Sequence, residues 1–261
     1  MIHYHVGPLT PNDAAVSFYA GKHGLVSFGE PRQASLMFEV CQTVITDCSS
    51  FTLWLEGNGE RVDVDAYAAW VREWQLHPAF DFAIIPDVID GTENDNAKMR
   101  ARWLGQWPRM KPGGVVWHLH ESFKSLEYLM RCTQAGIYRC ICLGSSGQWA
   151  TPGTADWWNR MAEVMDILCD KEGRPLVKLH GLRMLNPAIF ARLPLASADS
   201  SNVARNVGID KRWTGSYPPL THAMRAQVIA ERIEKAPAAT RWIRREKSEQ
   251  INLFELMGDV A

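Results

Sequence analysis

The sequence predicts an α/β fold, a single (β/α)8 barrel with a basic helical C-terminal extension. Three observations lead there. The chain has 261 residues, the upper end for one domain and a usual length for one such barrel. Short, almost continuously apolar segments alternate with segments of 3.6-residue periodicity, the pattern of parallel strands covered by helices on both faces. Most of the apolar segments also end in a polar residue or a glycine, at the positions where a barrel carries its functional groups.

The strand candidates, in order, are IHYHVG (2–7), TVITD (43–47), FDFAIIPDV (80–88), GGVVWHLHE (113–121), YRCICLG (138–144), PLVKLHG (175–181) and LASAD (195–199). Seven are legible; the eighth is inferred from the architecture. Between them, Val64, Tyr67, Val71 and Trp74 fall on one helical face, as do Trp157, Met161, Met165 and Leu168. The barrel is expected over 1–220. From Thr221 to Arg245 the pattern is one basic helix interrupted near Pro237, followed by QINLFELMG, so 221–261 is expected to form the extension. There is no internal repeat and no low-complexity tract.

Hydrophobic residues make up 46% of the chain and charged residues 22%, enough apolar mass for a sizeable core in a soluble protein. No apolar run approaches the roughly 20 residues that span a bilayer, so no membrane association is expected. The opening MIHYHVGPLTPND lacks the basic and apolar regions of a secretion signal, which leads to an expectation of a cytoplasmic protein. Six cysteines in apolar surroundings read as buried thiols. Cys140 and Cys142 alternate along one strand, yet no further Cys or His stands at zinc-ligand spacing beside them, so structural zinc is not expected.

The formal net charge of −1 conceals an asymmetry. Residues 1–100 carry 6 Lys and Arg against 14 Asp and Glu, a balance of −8, whereas residues 200–248 carry 10 against 4, a balance of +6. A basic segment on a nearly neutral chain fits either a polyanion partner on one face or a solvated helical face.

Read along the barrel, the strands end in Asp47, Asp87, His118 with His120 and Glu121, Gly144, His180 and Asp199. Any one of these could be a helix cap or a satisfied core group; their recurrence at strand ends points to a functional cluster. Two chemistries suit it. Paired histidines, His3 with His5 and His118 with His120, together with His180 and Asp199, could build the metal site of an amidohydrolase-type hydrolase. Alternatively, Asp199 and Asp47 could act as the two carboxylates of a glycosyl-type transfer, one as nucleophile and one as proton shuttle, without a metal.

Two segments then carry a resemblance. ITDCSSFTLW (45–54) resembles the DSGGF/DSGAF segment of the tRNA-guanine transglycosylases, and LHGLRMLNPAIFARLPLASADSSNVAR resembles their LHGFG…SADS region. The likeness is greatest to the compact DpdA-type branch that inserts 7-deazaguanines into DNA, and it runs over roughly residues 43–208. It implies a barrel enzyme that exchanges guanine in DNA for a 7-deazaguanine base through a covalent aspartyl-nucleotide intermediate, with no redox cofactor or ATP. The same exchange on tRNA is the alternative. Residue by residue, Asp199 matches the nucleophile, Asp47 the general acid/base, Phe51 the ring that stacks on the base and Asp87 the carboxylate that reads its guanine-like edge. Gly144 and Ser145 belong to a glycine-rich turn that offers backbone groups, and His180 and Gly181 form another wall. His118 and His120 stand where the tRNA enzymes use a glutamine.

Two departures accompany the likeness. The tRNA enzymes carry a Cys-x-Cys-x-x-Cys and His zinc module after the nucleophile, whereas this chain has no cysteine after Cys169; two glycines of DSGGF are Ser49 and Ser50 here. With the basic 200–248 segment, the missing module favours DNA as partner. Arg205, Lys211, Arg212, Arg241, Arg244 and Arg245 are the expected phosphate contacts. Gln250, Leu253 and Phe254 fit the QxxLF pattern by which bacterial proteins dock on the sliding clamp, with Leu and Phe entering an apolar pocket.

Overall fold

The computed structural model describes residues 1–57, 62–106, 110–208 and 218–244. Eight parallel strands form the inner wall: β1 Ile2–Val6, β2 His23–Ser27, β3 Thr43–Asp47, β4 Phe80–Ala83, β5 Gly114–His118, β6 Cys140–Gly144, β7 Leu179–Gly181 and β8 Ser197–Ser200. The helices are α1 Asn12–Tyr19, α2 Ala34–Val40, α3 Ser50–Glu56, α4 Val64–Trp74, α5 Glu93–Leu104, α6 Phe123–Gln134, α7 Ala155–Leu168, α8 Pro187–Phe190, α9 Asn202–Asn206 and α10 His222–Glu234. The strand order is β4-β3-β2-β1-β8-β7-β6-β5. The ring nearly closes between β4 and β5, where Ile84 bridges Gly114 and the Ile85 N–H donates to the Gly114 carbonyl at 2.9 Å. The (β/α)8 barrel is therefore the architecture of this chain.

Side chains alternate across each strand, so one parity fills the barrel and the other meets the helices. The interior is plugged by Tyr4, Leu25, Ile45, Phe82, Ile84, Val116, Cys140 and Cys142. The opposite parity, including Val26, Val44, Val115, Trp117, Ile141 and Leu143, packs under the helices in a much larger core. That two-sided burial is why the strands lack polar alternation. Helix starts follow side-chain caps: the Asp63 carboxylate accepts from Asp65 and Ala66, Thr92 and Asp95 form a reciprocal capping box, and Ser122, Thr154 and Thr221 cap α6, α7 and α10.

Three sequence expectations shift. His23–Ser27 is the eighth strand. The apolar runs continue past the strands: 80–88 is strand only to Ala83, 113–121 to His118, and 175–178 precedes β7. Pro86 lacks a ladder donor, which accounts for the first of these stops. The basic helix ends at Glu234, before Pro237, and α10 packs on α1 and α9 through Ala226, Ile229, Ala230 and Ile233. The first part of the segment read as an extension thus covers the barrel wall. Among the described residues, no helix is long and apolar enough to cross a membrane.

Candidate active site

The same period of two that fills the barrel delivers the polar groups to its mouth. On β3 the inward series is Thr43, Ile45, Asp47; on β5 it is Gly114, Val116, His118; on β6 it is Cys140, Cys142, Gly144; on β8 it is Ser197, Asp199. Register aligns Ser27 with Asp47 and His118 with Gly144. Asp47, Asp87, His118, Gly144, His180 and Asp199 converge at this one end of the barrel.

Asp199 is buried, and among the described residues the hydrogen bonds to its carboxylate both fall on Oδ1: the Arg183 backbone N–H donates at 3.2 Å and His180 Nε2 lies at 3.2 Å. His180 is itself completely buried and its Nδ1 meets the Ser197 hydroxyl at 2.8 Å. It meets Asp199 from within the barrel. On β3, the Asp47 carboxylate accepts from the Ser49 N–H at 2.9 Å and from the Ser27 hydroxyl at 3.3 Å. Burial pushes the Asp47 carboxyl up to about 6, against the Ser49 hydrogen bond, and the negative charges of Asp199 and Asp87 push the same way. Asp47 therefore feels the charge of both Asp199 and Asp87 at the mouth.

Asp87 follows β4 and meets His118 Nε2 through Oδ2 at 2.6 Å. Its backbone carbonyl accepts from the Ser50 hydroxyl at 3.0 Å. His118 Nδ1 is buried without a hydrogen-bond partner among the described residues, and a Cβ on Gly144 would lie only 2.8 Å from it. Gly144 is a glycine because the imidazole rests on its Cα. Gly181 is packed as tightly, a Cβ there meeting Met184 and Leu195 at 2.8 Å.

Other expected residues take different places. His120 lies beyond β5 and ties three loops together, its Nδ1 to Ser146 Oγ at 2.7 Å and its Nε2 to the Gly91 carbonyl at 3.1 Å. Glu121 is buried against Asn96 and Ser125, each donating at 3.1 Å. The Ser145 hydroxyl faces away from the mouth and accepts from Trp157 Nε1 at 2.9 Å; only its carbonyl faces the site. The rings of His118 and His120 stack with centroids 5.6 Å apart, but the His3 and His5 pair does not join them. His3 and His5 have the outward parity of β1, His3 against Phe190 and His5 on Glu234 at 2.8 Å. Among the described residues no three His, Cys, Asp or Glu side chains are grouped to hold a metal ion.

Two residues absent from the expected set complete the mouth. Ser49 holds a left-handed backbone, φ 71°, and its hydroxyl accepts from the Gly29 N–H and meets Ser27 Oγ, both at 2.6 Å. This fixes the turn that aims Asp47. Arg183 is exposed and also left-handed, φ 59°. It lays its guanidinium over the Phe51 ring, 3.9 Å from the centroid. A departure was visible beforehand, since LHGLR stands where the resembled pattern has LHGFG.

A cavity of about 440 Å³ opens beside Asp87, lined also by Ser50, Leu53, Trp54, Asp90 and Gly91, a volume suited to a small planar ligand. A second, of about 660 Å³, adjoins β8 and is lined by Arg183, Asn186, Ser200, Asn202, Arg205 and Arg232. Arg205 is thus beside the mouth. Arg244 is not: it pairs with Asp166 Oδ1 at 2.7 Å in the last turn of α7, and that turn lies at the opposite end of the barrel. Arg241 is exposed and precedes Trp242, whose backbone meets Gly173 in the loop after α7. Lys211, Arg212, Arg245, Gln250, Leu253 and Phe254 lie outside the described residues. Comparison with protein-family models finds no match, and comparison with curated proteins finds none either.

Proposed function

We propose that the barrel mouth exchanges nucleobases, replacing guanine in DNA with a 7-deazaguanine precursor in the cytoplasm. The observation that supports this reading is a pair of carboxylates in unlike environments. Asp199 is held through one oxygen, and Asp47 is pushed to about 6 in the same charge field. A group near that value can both give and take a proton at neutral pH.

The steps balance without a redox partner. A nucleotide is swung out of its stack into the mouth. Asp199 Oδ2 attacks C1′ as the glycosidic bond breaks, through an oxocarbenium-like transition state that the neighbouring carboxylates stabilise. The bond's electron pair leaves with guanine, which Asp47 protonates. A 7-deazaguanine then loses its ring N–H proton to Asp47, and that nitrogen displaces Asp199 from C1′. Two inversions retain configuration. Asp87, fixed by His118, reads the edge of the base, and Phe51 stacks on its face. Arg205 supplies a phosphate contact. The basic 200–248 composition and the absence of cysteine after Cys169 favour DNA over tRNA, and residues 250–254 would recruit the chain to a sliding clamp.

The test is incubation with double-stranded DNA or tRNA and radiolabelled guanine. Label is expected in DNA and absent with Asp199→Asn. Label in tRNA alone would overturn the choice of partner, and no label in either would overturn the exchange.

A further inference from the structure

Arg183 is a second-order puzzle at the mouth. Among the described residues, only it and Ser49 hold a positive φ without being glycine. That backbone costs a long side chain on the order of 1 kcal/mol, so an arginine persists there only if its contacts offset the strain. Three do so. Its N–H donates to Asp199 Oδ1 at 3.2 Å, its Nη2 donates to the Ser145 carbonyl at 3.2 Å, and its guanidinium covers Phe51 at 3.9 Å. The guanidinium is planar and stacks on aromatic faces. It fills the slot that a purine stacked on Phe51 would need.

The same residue also lines the second cavity, with Asn186, Ser200, Asn202, Arg205 and Arg232. That wall contains two further guanidinium groups and several neutral donors, and among the described residues no carboxylate lines it. Such a lining suits a phosphate, for which a guanidinium offers paired donors. Arg183 therefore stands between an aromatic face it blocks and an anion cavity it also lines.

We propose that Arg183 is a displaceable plug. In the free protein it covers Phe51; when nucleic acid binds, it turns to a backbone phosphate seated in the Arg205 cavity and uncovers Phe51 for the base. This rests on the base-exchange reading. Its consequence is order: free base is held out of the pocket until a polyanion is in place, and the charge that blocks the pocket becomes part of the grip on the strand.

The experiment measures equilibrium binding of guanine without DNA, and of a DNA duplex across a salt series, for wild type, Arg183→Ala and Arg183→Gly. Glycine suits the left-handed backbone, so that variant removes the side chain without adding strain. Guanine affinity is expected to rise roughly three- to tenfold in both variants, the scale of one cation–π competitor removed. Duplex affinity is expected to fall, with the slope of log affinity against log salt reduced by about one. Guanine binding that weakens or stays unchanged overturns the plug, as does an unchanged salt slope. Labelled-guanine exchange by the wild type separates the two layers: if it occurs while guanine affinity does not rise, only the plug fails. If it does not occur, the exchange reading falls and the plug with it.

Discussion

Asp87 Oδ2 and His118 Nε2 lie 2.6 Å apart, and the far side of that imidazole rests on Gly144. The three residues end or follow three different strands, so one side chain's position is decided by a backbone two strands from its partner. A Cβ at residue 144 would stand 2.8 Å from His118 Nδ1, closer than real Cβ atoms pack, and a tight 3.1 Å from Cε1.

Gly144→Ala is therefore expected to push the imidazole off its site and separate it from Asp87. Exchange activity should drop on the order of 10²-fold, as misplaced catalytic geometry does. Stability should change by only about 1–3 kcal/mol, as with other overpacking. The measurement is single-turnover label exchange beside thermal unfolding; a variant with near-normal exchange would separate His118 from the chemistry.

Asp47→Asn gives a prediction with a sign. The Asp47 carboxyl is raised from 3.8 to about 6 by burial and by its acidic neighbours. Between those values the folded protein holds a proton that the unfolded chain has released, so stability falls as pH rises through that window and then levels off. Asparagine removes the cost while keeping an acceptor for the Ser49 N–H. The variant should match wild type near pH 4 and exceed it by about 2–3 kcal/mol at pH 7, while losing exchange. Unfolding midpoints over pH 4–8 check this; equal midpoints at pH 7 would refute the charge account.

How much of this was legible beforehand follows from period and strain. Asp47, His118, Gly144 and Asp199 could be read because each continues an inward series set two residues apart, and a strand cannot shift by one without burying its whole outer face wrongly. β2 was not legible. HGLVS offers two apolar residues and a glycine that reads as a turn, yet Gly24 lies under Met37, a Cβ there meeting Met37 Cε at 2.3 Å. Packing against a helix that follows it in the chain leaves no local signal. The spacing of His118 and His120 was informative about place but not about role: their rings stack with centroids 5.6 Å apart, yet β5 ends at His118 and His120 bonds between loops instead of into the mouth. Arg183 had no periodic signal, since a left-handed arginine breaks the pattern that would announce it.

Ser49 offers a test of how the turn after β3 is held. Its backbone is left-handed, which favours glycine, while its hydroxyl accepts from the Gly29 N–H and meets Ser27. Ser49→Gly should relieve strain but lose both hydrogen bonds, so the two effects partly offset and stability should fall by less than about 1 kcal/mol. Ser49→Ala keeps the strain and loses the bonds, and should cost about 1–3 kcal/mol. The order of the two variants in chemical denaturation is the observable; alanine more stable than glycine would contradict the role given to the backbone.

The last prediction concerns the end of α10 and its attachment to the barrel. Glu234 meets His5 Nε2 at 2.8 Å and Lys22 Nζ at 3.0 Å. Those contacts, the His5 hydrogen bond first, hold its carboxyl down at about 2 against an ordinary 4.5, outweighing the opposing effect of burial. A carboxyl depressed on folding contributes stability that is complete above its unfolded value and is lost as pH falls toward the folded one. Between pH 4.5 and 2, wild type should therefore lose stability more steeply than Glu234→Gln, the two curves converging at the acid end. At neutral pH the variant should be the weaker protein, because Lys22 loses its counter-charge and His5 loses its carboxylate hydrogen-bond partner. Urea unfolding at a series of pH values measures both limbs. Parallel curves down to pH 2 would mean that α10 is held by its apolar face, Ala226, Ile229, Ala230 and Ile233, with no contribution from the ion pair.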